Sequence, residues 1–180
     1  MNKGALTAPQ IQSSWDRVME CDDQEFARLL RKSGPFQEEL SGFVIAFTMD
    51  MRPAVSEHAR AMMVALYEIY QEHALSVRPA TEEAVAAQWN QSKARIAEAE
   101  ALVAAGHSIE TLLVGHPQPT LLTLVLGVLM EVDPDDEDGL FTDPDQEPLN
   151  LDDAEFWHLL GVMHTVVAVL DSHATYRPAA

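Results

Sequence analysis

The chain has 180 residues, 47% of them hydrophobic, and a formal net charge of −18 at pH 7. A chain of this length buries about 70% of the surface that it exposes when unfolded, so these values predict one folded domain. They argue against nucleic acid and anionic lipid as partners, which a strongly negative surface repels, and against a membrane span, because the most apolar run (121–130) is only about half of the roughly 20 residues required.

Helix-start signals and apolar residues at helical spacing predict three helices before residue 53. Thr7 and Gln10 form a capping pattern ahead of the first helix, and Asp22 and Glu25 repeat it ahead of the second. Gly and Pro at 34–35 separate the second helix from the third, because Gly suits a helix end and Pro suits a helix start. The apolar face of the third helix consists of Phe36, Leu40, Phe43, Val44 and Phe47.

The central prediction is a long, buried helix over residues 53–77. Its apolar residues recur at steps of three and four, which places them on one face. The segment Met62–Tyr67 is apolar on every side, and a helix of that kind needs neighbours all round. We therefore expect the other helices to pack around this one.

The second half of the chain predicts further helices. Thr81 starts one that ends at Gly106, a turn or two of helix follows over 108–114, and the Leu/Val-rich run 120–132 is best explained as a short interior helix. A capping box at 152–155 opens the last helix, and residues 176–180 are expected to fray. Because no segment alternates with period two, no sheet is predicted. The predicted fold is an all-α, single-domain bundle of about 6–8 helices.

Charge is distributed very unevenly. Residues 1–95 carry ten basic and 13 acidic side chains, whereas residues 96–176 carry 16 acidic side chains and no Lys or Arg. The acidic residues concentrate in a predicted long loop over 131–150, a length that is typical of functional or disordered segments. The candidate partner-binding residues in this loop are Asp133, Asp135, Asp136, Glu137, Asp138, Asp143 and Asp145.

This charge pattern favours a non-enzymatic, cytoplasmic protein that binds a basic protein partner. Electrostatic attraction would mainly raise the rate of association. A tight calcium site in the loop is not expected, because an EF-hand loop that starts at Asp133 would need Gly at its sixth position and Glu at its twelfth. The sequence has Asp138 and Pro144 there. The alternative that the acids only keep an apolar bundle in solution stays open.

A second hypothesis is a helical bundle that binds a divalent metal ion or another cofactor. Glu155 and His158 are three residues apart on the last helix, so both lie on one face, as in the Glu-x-x-His pairs of di-iron bundles. Such bundles use two of these pairs, and this chain has one. Glu68, Glu72 and His73 on the central helix are the candidate ligands opposite.

Two further residue patterns suggest a dimer contact and a catalytic pair. The narrow seam through Val85, Trp89 and Ile96 predicts a homodimer contact. Arg52 and His58 have five residues between them, a spacing that resembles the Arg-x(4–6)-His pair of HEPN-type ribonucleases, which are also helical bundles. The resemblance implies cleavage of RNA, which the negative charge of this chain disfavours. We expect Arg52 instead to lie at an exposed hinge or to pair with Asp50 or Glu57.

The sequence contains one cysteine, Cys21, so an internal disulfide is excluded. This suits a reducing compartment, and no secretory signal is recognised at the start of the chain. We expect the thiol to be buried and inert. The sequence also lacks a Gly-x-Ser-x-Gly elbow and a phosphate-binding Gly-rich loop, so it offers no nucleophilic motif.

Overall fold

Helices make up most of the computed structural model, which describes residues 6–33, 37–130 and 151–176. Within those ranges the α-helices are α1 (Ala8–Met19), α2 (Asp23–Ser33), α3 (Glu38–Thr48), α4 (Pro53–His73), α5 (Glu82–Ala104), α6 (Pro119–Met130) and α7 (Asp153–His173). A 3-10 helix (Ile109–Leu113) lies between α5 and α6, and two short strands, β1 (Ser76–Val77) and β2 (Ala174–Thr175), form an antiparallel pair. The predicted all-α multi-helix bundle is confirmed.

Local capping signals place the starts of α2 and α7 and the end of α5 close to where the sequence predicts them. The backbone amide of Glu25 donates to Asp22 Oδ1 at 2.8 Å, and that of Glu155 donates to Asp152 Oδ1 at 2.8 Å. Each bond satisfies an amide that the first turn of a helix leaves without a partner. Gly106, with φ of 88°, follows the end of α5 in a left-handed conformation that suits glycine.

The core is organised around α4 and α7. Every residue from Met62 to Tyr70 is buried, which confirms that the predicted central hexapeptide 62–67 is hidden from water. Residues 159–167 of α7 are buried as completely. Helix α4 packs against α1, α2, α3 and α7, and α7 packs against α3, α4, α5 and α6. The Tyr70 hydroxyl donates to the Val167 carbonyl at 3.2 Å and joins the two central helices.

The central helix is shorter than predicted, because α4 ends at His73 and not at residue 77. The residues that follow pair with the end of α7: the Leu75 amide donates to the Thr175 carbonyl at 2.7 Å, and the Arg78 amide donates to the His173 carbonyl at 3.1 Å. The prediction that no strand forms is therefore wrong for β1 and β2. Two-residue strands are too short to show the alternation by which a sequence reveals a strand.

The predicted frayed tail is also partly wrong. Tyr176 is half-buried, and its hydroxyl donates to Asp171 Oδ1 at 3.0 Å and accepts a bond from Gln118 Nε2 at 3.2 Å. The rest of that segment, 177–180, lies outside the described residues. Among the described helices, none combines the length and the apolar character needed to cross a membrane.

Candidate functional site

The predicted partner-binding residues, in the predicted loop 131–150, lie outside the described residues. The structure describes other acidic residues of the same half of the sequence. In that half Glu98, Glu100 and Glu110 are exposed, and so are Asp152 and Asp153 at the start of α7. Among the ion pairs within the described residues, one reaches this half of the chain, from Arg52 to Glu155. The fold itself therefore leaves most of this described negative charge on the surface.

Glu155 and His158, the predicted metal ligands, join α7 to two earlier parts of the chain. Glu155 contacts Arg52 at the start of α4, and His158 contacts Phe47 of α3. Arg52 donates to both carboxylate oxygens of Glu155, from Nη2 to Oε2 at 2.8 Å and from Nε to Oε1 at 3.2 Å. His158 Nε2 lies 2.7 Å from the Phe47 carbonyl. Because a carbonyl only accepts, that nitrogen carries a proton and has no lone pair for a metal ion. Both side chains already have structural partners.

The other predicted ligands, Glu68, Glu72 and His73, contact side chains of α1 and α2 and not Glu155 or His158. Lys32 Nζ lies 3.1 Å from both carboxylate oxygens of the buried Glu68, and Arg17 forms an ion pair with Glu72. Ser14 donates to Glu72 Oε2 at 2.5 Å and lies 3.2 Å from His73 Nε2. Within the described ranges, no group of three or more His, Cys, Asp or Glu side chains is arranged to hold a metal ion.

The seam predicted to form a homodimer contact, Val85, Trp89 and Ile96, packs against other residues of the same chain. Val85 and Ile96 are buried where α5 packs against α7. Trp89 makes an edge contact with Phe47, with ring centroids 4.7 Å apart. The α5–α7 contact is close, because a Cβ added at Gly161 would lie 3.3 Å from the Trp89 ring. In the described structure these three side chains therefore pack within the chain, and homodimerisation through them stays a prediction.

The three described Ser–His contacts do not form a nucleophilic site. Ser14 lies beside His73, and Ser92 lies 2.9 Å from His164 Nδ1, but both serines are buried. Ser172 is exposed and lies 2.9 Å from His173 Nδ1, but that nitrogen also lies 2.9 Å from the Val169 carbonyl, to which it donates, so it cannot accept the serine proton. Burial also raises the pKa of the Cys21 thiol, with smaller contributions from nearby carboxylates, so this half-buried cysteine is not activated.

The HEPN-like spacing does not produce a catalytic pair either. Arg52 is exposed at the start of α4, as the first of our two expectations had it, and it forms an ion pair with Glu155. The other expectation, a pair with Asp50 or Glu57, is not among the described ion pairs. His58 Nε2 is buried with no hydrogen-bond partner among the described residues, and burial lowers the pKa of its imidazole. An Arg–His pair that acts on RNA needs both groups at the surface, and here the histidine nitrogen is shielded.

One feature that the sequence did not reveal is a pair of buried histidines between α7 and the segment that precedes α6. His116 and His164 have ring centroids 5.1 Å apart. The Gln118 amide donates to His116 Nδ1 at 3.1 Å, which places the proton of the neutral His116 ring on Nε2. Both Nε2 atoms are buried with no hydrogen-bond partner in the described part of the chain. Nothing in a single sequence shows that residues 48 positions apart come together.

A second missed feature is an apolar surface formed by Gly42, Ile45 and Ala46 of α3 and by Met49, which directly follows the helix as its C-cap. We call these four residues the outer face of α3. All four residues are exposed, although none is polar. The signal was present, because these positions follow one another at steps of 3, 1 and 3 on the side of the helix opposite Leu40. The apolar face predicted from the sequence is the inner one, which includes Leu40 and Phe43 and excludes these four residues.

The comparisons with known proteins identify no family for the chain. No protein-family model matches it, and no curated protein or solved structure matches it either. A function for this chain therefore rests on its charge distribution and on the surfaces that its fold leaves open.

Proposed function

We propose that this chain is a non-enzymatic protein-binding module that uses the negative surface of its second half to recruit a basic protein. The observation that carries the proposal is the charge left over after folding. Residues 96–176 contain 16 acidic and no Lys or Arg side chains, and within the described residues one ion pair reaches them. Among the described ion pairs, those of Arg17, Arg28 and Lys32 are formed with acids of the first half.

Such a surface acts on a partner through its electrostatic field. At physiological ionic strength the field of an exposed charge extends over about one Debye length, roughly 8 Å. Clustered charges of one sign attract an oppositely charged protein before contact and raise its association rate. The same field repels nucleic acid and anionic lipid. The partner that fits is a protein with a basic patch.

The cytoplasm is the compartment that suits this proposal. Cys21 is the one cysteine of the chain and has no disulfide, which agrees with a reducing compartment. Dimerisation through Val85, Trp89 and Ile96 is not part of the proposal, because these side chains pack within the chain.

The test neutralises the acidic loop without touching the described bundle. A variant with Asp133, Asp135, Asp136 and Asp138 replaced by Asn and a control with Glu20, Glu57, Glu82 and Glu83 replaced by Gln both change the net charge by +4, from −18 to −14. The four control residues are exposed. Proteins captured from a lysate at 50, 150 and 500 mM NaCl are identified by mass spectrometry for each variant.

We expect the Asn variant to lose basic proteins that the wild type and the control retain at 50 and 150 mM NaCl. We also expect the wild type to release them at 500 mM, because salt screens exposed charges. If the Asn variant captures the same proteins as the wild type at every salt concentration, the proposed function is wrong.

A further inference from the structure

The outer face of α3 is an apolar surface that the described fold does not cover. Ile45 is 51% exposed and Met49 is 68% exposed. They are two of the six exposed large hydrophobic residues in the described part of the chain, and they lie one helical turn apart. Phe47 is 36% exposed, but it lies on the inner side of α3, where its ring contacts Trp89. Single exposed apolar side chains are common, whereas a contiguous group of them marks an interaction site.

The shape of this face suits a helix. Gly42 and Ala46 are small and one helical turn apart, with Ile45 and Met49 beside them. A Cβ added at Gly42 would meet no heavy atom within 4 Å, so the space above it is open. Small residues let another helix approach closely, and the larger side chains on either side provide apolar contact area. The inner face of α3 already packs against α4, α5 and α7.

The negative charges around this face favour a positively charged partner. Glu38 and Glu39 precede Gly42 by four and three residues, so they continue the same side of the helix, and both are exposed. Asp50 is exposed just beyond Met49. The residues of α3 include no Lys or Arg, and Arg52 is bound to Glu155. A second copy of the chain would bring these carboxylates against each other.

We propose that the outer face of α3 binds an amphipathic helix of a partner protein, with an apolar stripe against Ile45 and Met49 and basic residues facing Glu38, Glu39 and Asp50. This inference rests on the proposed function, since it assigns a docking site to the basic partner. The acidic loop attracts that partner over a distance, and the α3 face supplies the contact that is sensitive to shape.

The test uses two labelled synthetic peptides and the full 180-residue chain. One peptide has leucines at helical positions i, i+3, i+4 and i+7 with lysines elsewhere, and the other has the same composition scrambled so that no stripe forms. Fluorescence anisotropy measures their binding to the wild type, to an Ile45→Ser/Met49→Ser variant, and to a control Leu75→Ser/Val114→Ser variant. Leu75 and Val114 are exposed apolar residues outside α3, 55% and 74% accessible.

We expect the striped peptide to bind the wild type about tenfold more tightly than the scrambled one, a difference of about 1.4 kcal/mol. The α3 variant should lose that difference, because it lacks the two apolar anchors that the stripe contacts. The control variant should keep the difference. Circular dichroism should show both variants to be as helical as the wild type, since all four substitutions are at the surface.

Equal binding of the two peptides, or equal loss in both variants, would overturn the α3 assignment. A dimer of the wild type in sedimentation, absent from the α3 variant, would overturn it in favour of a second copy. The variant with Asn at 133, 135, 136 and 138 separates the two proposals. If it weakens both peptides equally while the α3 variant has no effect, the acidic surface still recruits basic partners and only the docking site is wrong.

Discussion

At the scale of single residues, the buried histidine pair is the most unusual polar feature of the described structure. Burial lowers the pKa of His164 to about 4, and the neighbouring His116 and Arg95 contribute in the same direction. Burial also lowers the pKa of His116. The Asp171 carboxylate, which opposes the shift at His116, accepts bonds from Gln118 and Tyr176. A proton added to either ring would therefore be a buried charge with no dedicated counterion.

We predict that this pair makes the protein less stable in mild acid. The pKa of His164 is about 4 in the fold and about 6.5 in the unfolded chain, so between these values the unfolded state binds the extra proton. The free energy of unfolding should be unaffected by His164 above pH 6.5 and should fall by about 3 kcal/mol as the pH drops towards 4. Urea unfolding at pH 7.5, 6.5, 5.5 and 4.5 measures this.

His164→Gln is the matched variant, because it keeps a polar side chain beside Ser92 and removes the titrating group. Its free energy of unfolding should fall less steeply with pH than that of the wild type. His107→Gln, at an exposed histidine, should leave the wild-type slope unchanged. The same slope in His164→Gln and in the wild type would show that His164 does not carry the effect.

Residue contacts also show what a sequence can reveal and what it cannot. The capping bond between Asp152 and Glu155 was predictable because its partners are three positions apart. The bond from Arg52 to Glu155 spans 103 positions, and the one between His158 and the Phe47 carbonyl spans 111. Helical spacing shows which residues share a face, but it does not show what lies opposite that face.

At the scale of secondary-structure elements, α4 and α7 are buried on all sides because their middle turns are apolar all round. That pattern is visible in the sequence, and the burial of Met62–Tyr67 confirms it. The end of α4 was not predictable, since β1 forms only when the segment after α7 comes alongside it. The spacing in α3 indicates two apolar faces, but the sequence does not show which of them the fold leaves uncovered.

We predict that Leu66→Asp prevents folding. Leu66 has no exposed surface, and a carboxylate there would lie in an apolar interior with no basic partner. Changes of this kind cost more than about 4 kcal/mol, a large part of the roughly 5–15 kcal/mol that stabilises a typical domain. Circular dichroism and thermal unfolding of the purified variant provide the measurement.

Val114→Asp is the control for added charge, because Val114 is 74% exposed. It should melt within a few degrees of the wild type. A Leu66→Asp protein that is fully helical and melts like this control would show that the core does not depend on the middle of α4.

At the scale of the whole molecule, we propose that the acidic half and the outer face of α3 control different steps of binding, association and dissociation. In our proposal the acidic half raises the rate at which a basic helix arrives, because long-range attraction acts before contact. In the same proposal the α3 face governs how long the helix stays, because short-range apolar contacts are lost only on dissociation. The charge asymmetry was evident from composition, whereas the α3 surface depended on knowing which helical faces the fold covers.

The most direct test of this account is the association rate constant of the striped Leu/Lys peptide, measured by stopped-flow fluorescence between 50 and 300 mM NaCl. We predict that the rate constant falls steeply with salt for the wild type and less steeply for the variant with Asn at 133, 135, 136 and 138, while the dissociation rate constant changes little. An association rate constant that does not depend on salt, or that is the same in the wild type and the Asn variant throughout this range, would contradict the claim that the acidic half recruits a basic partner.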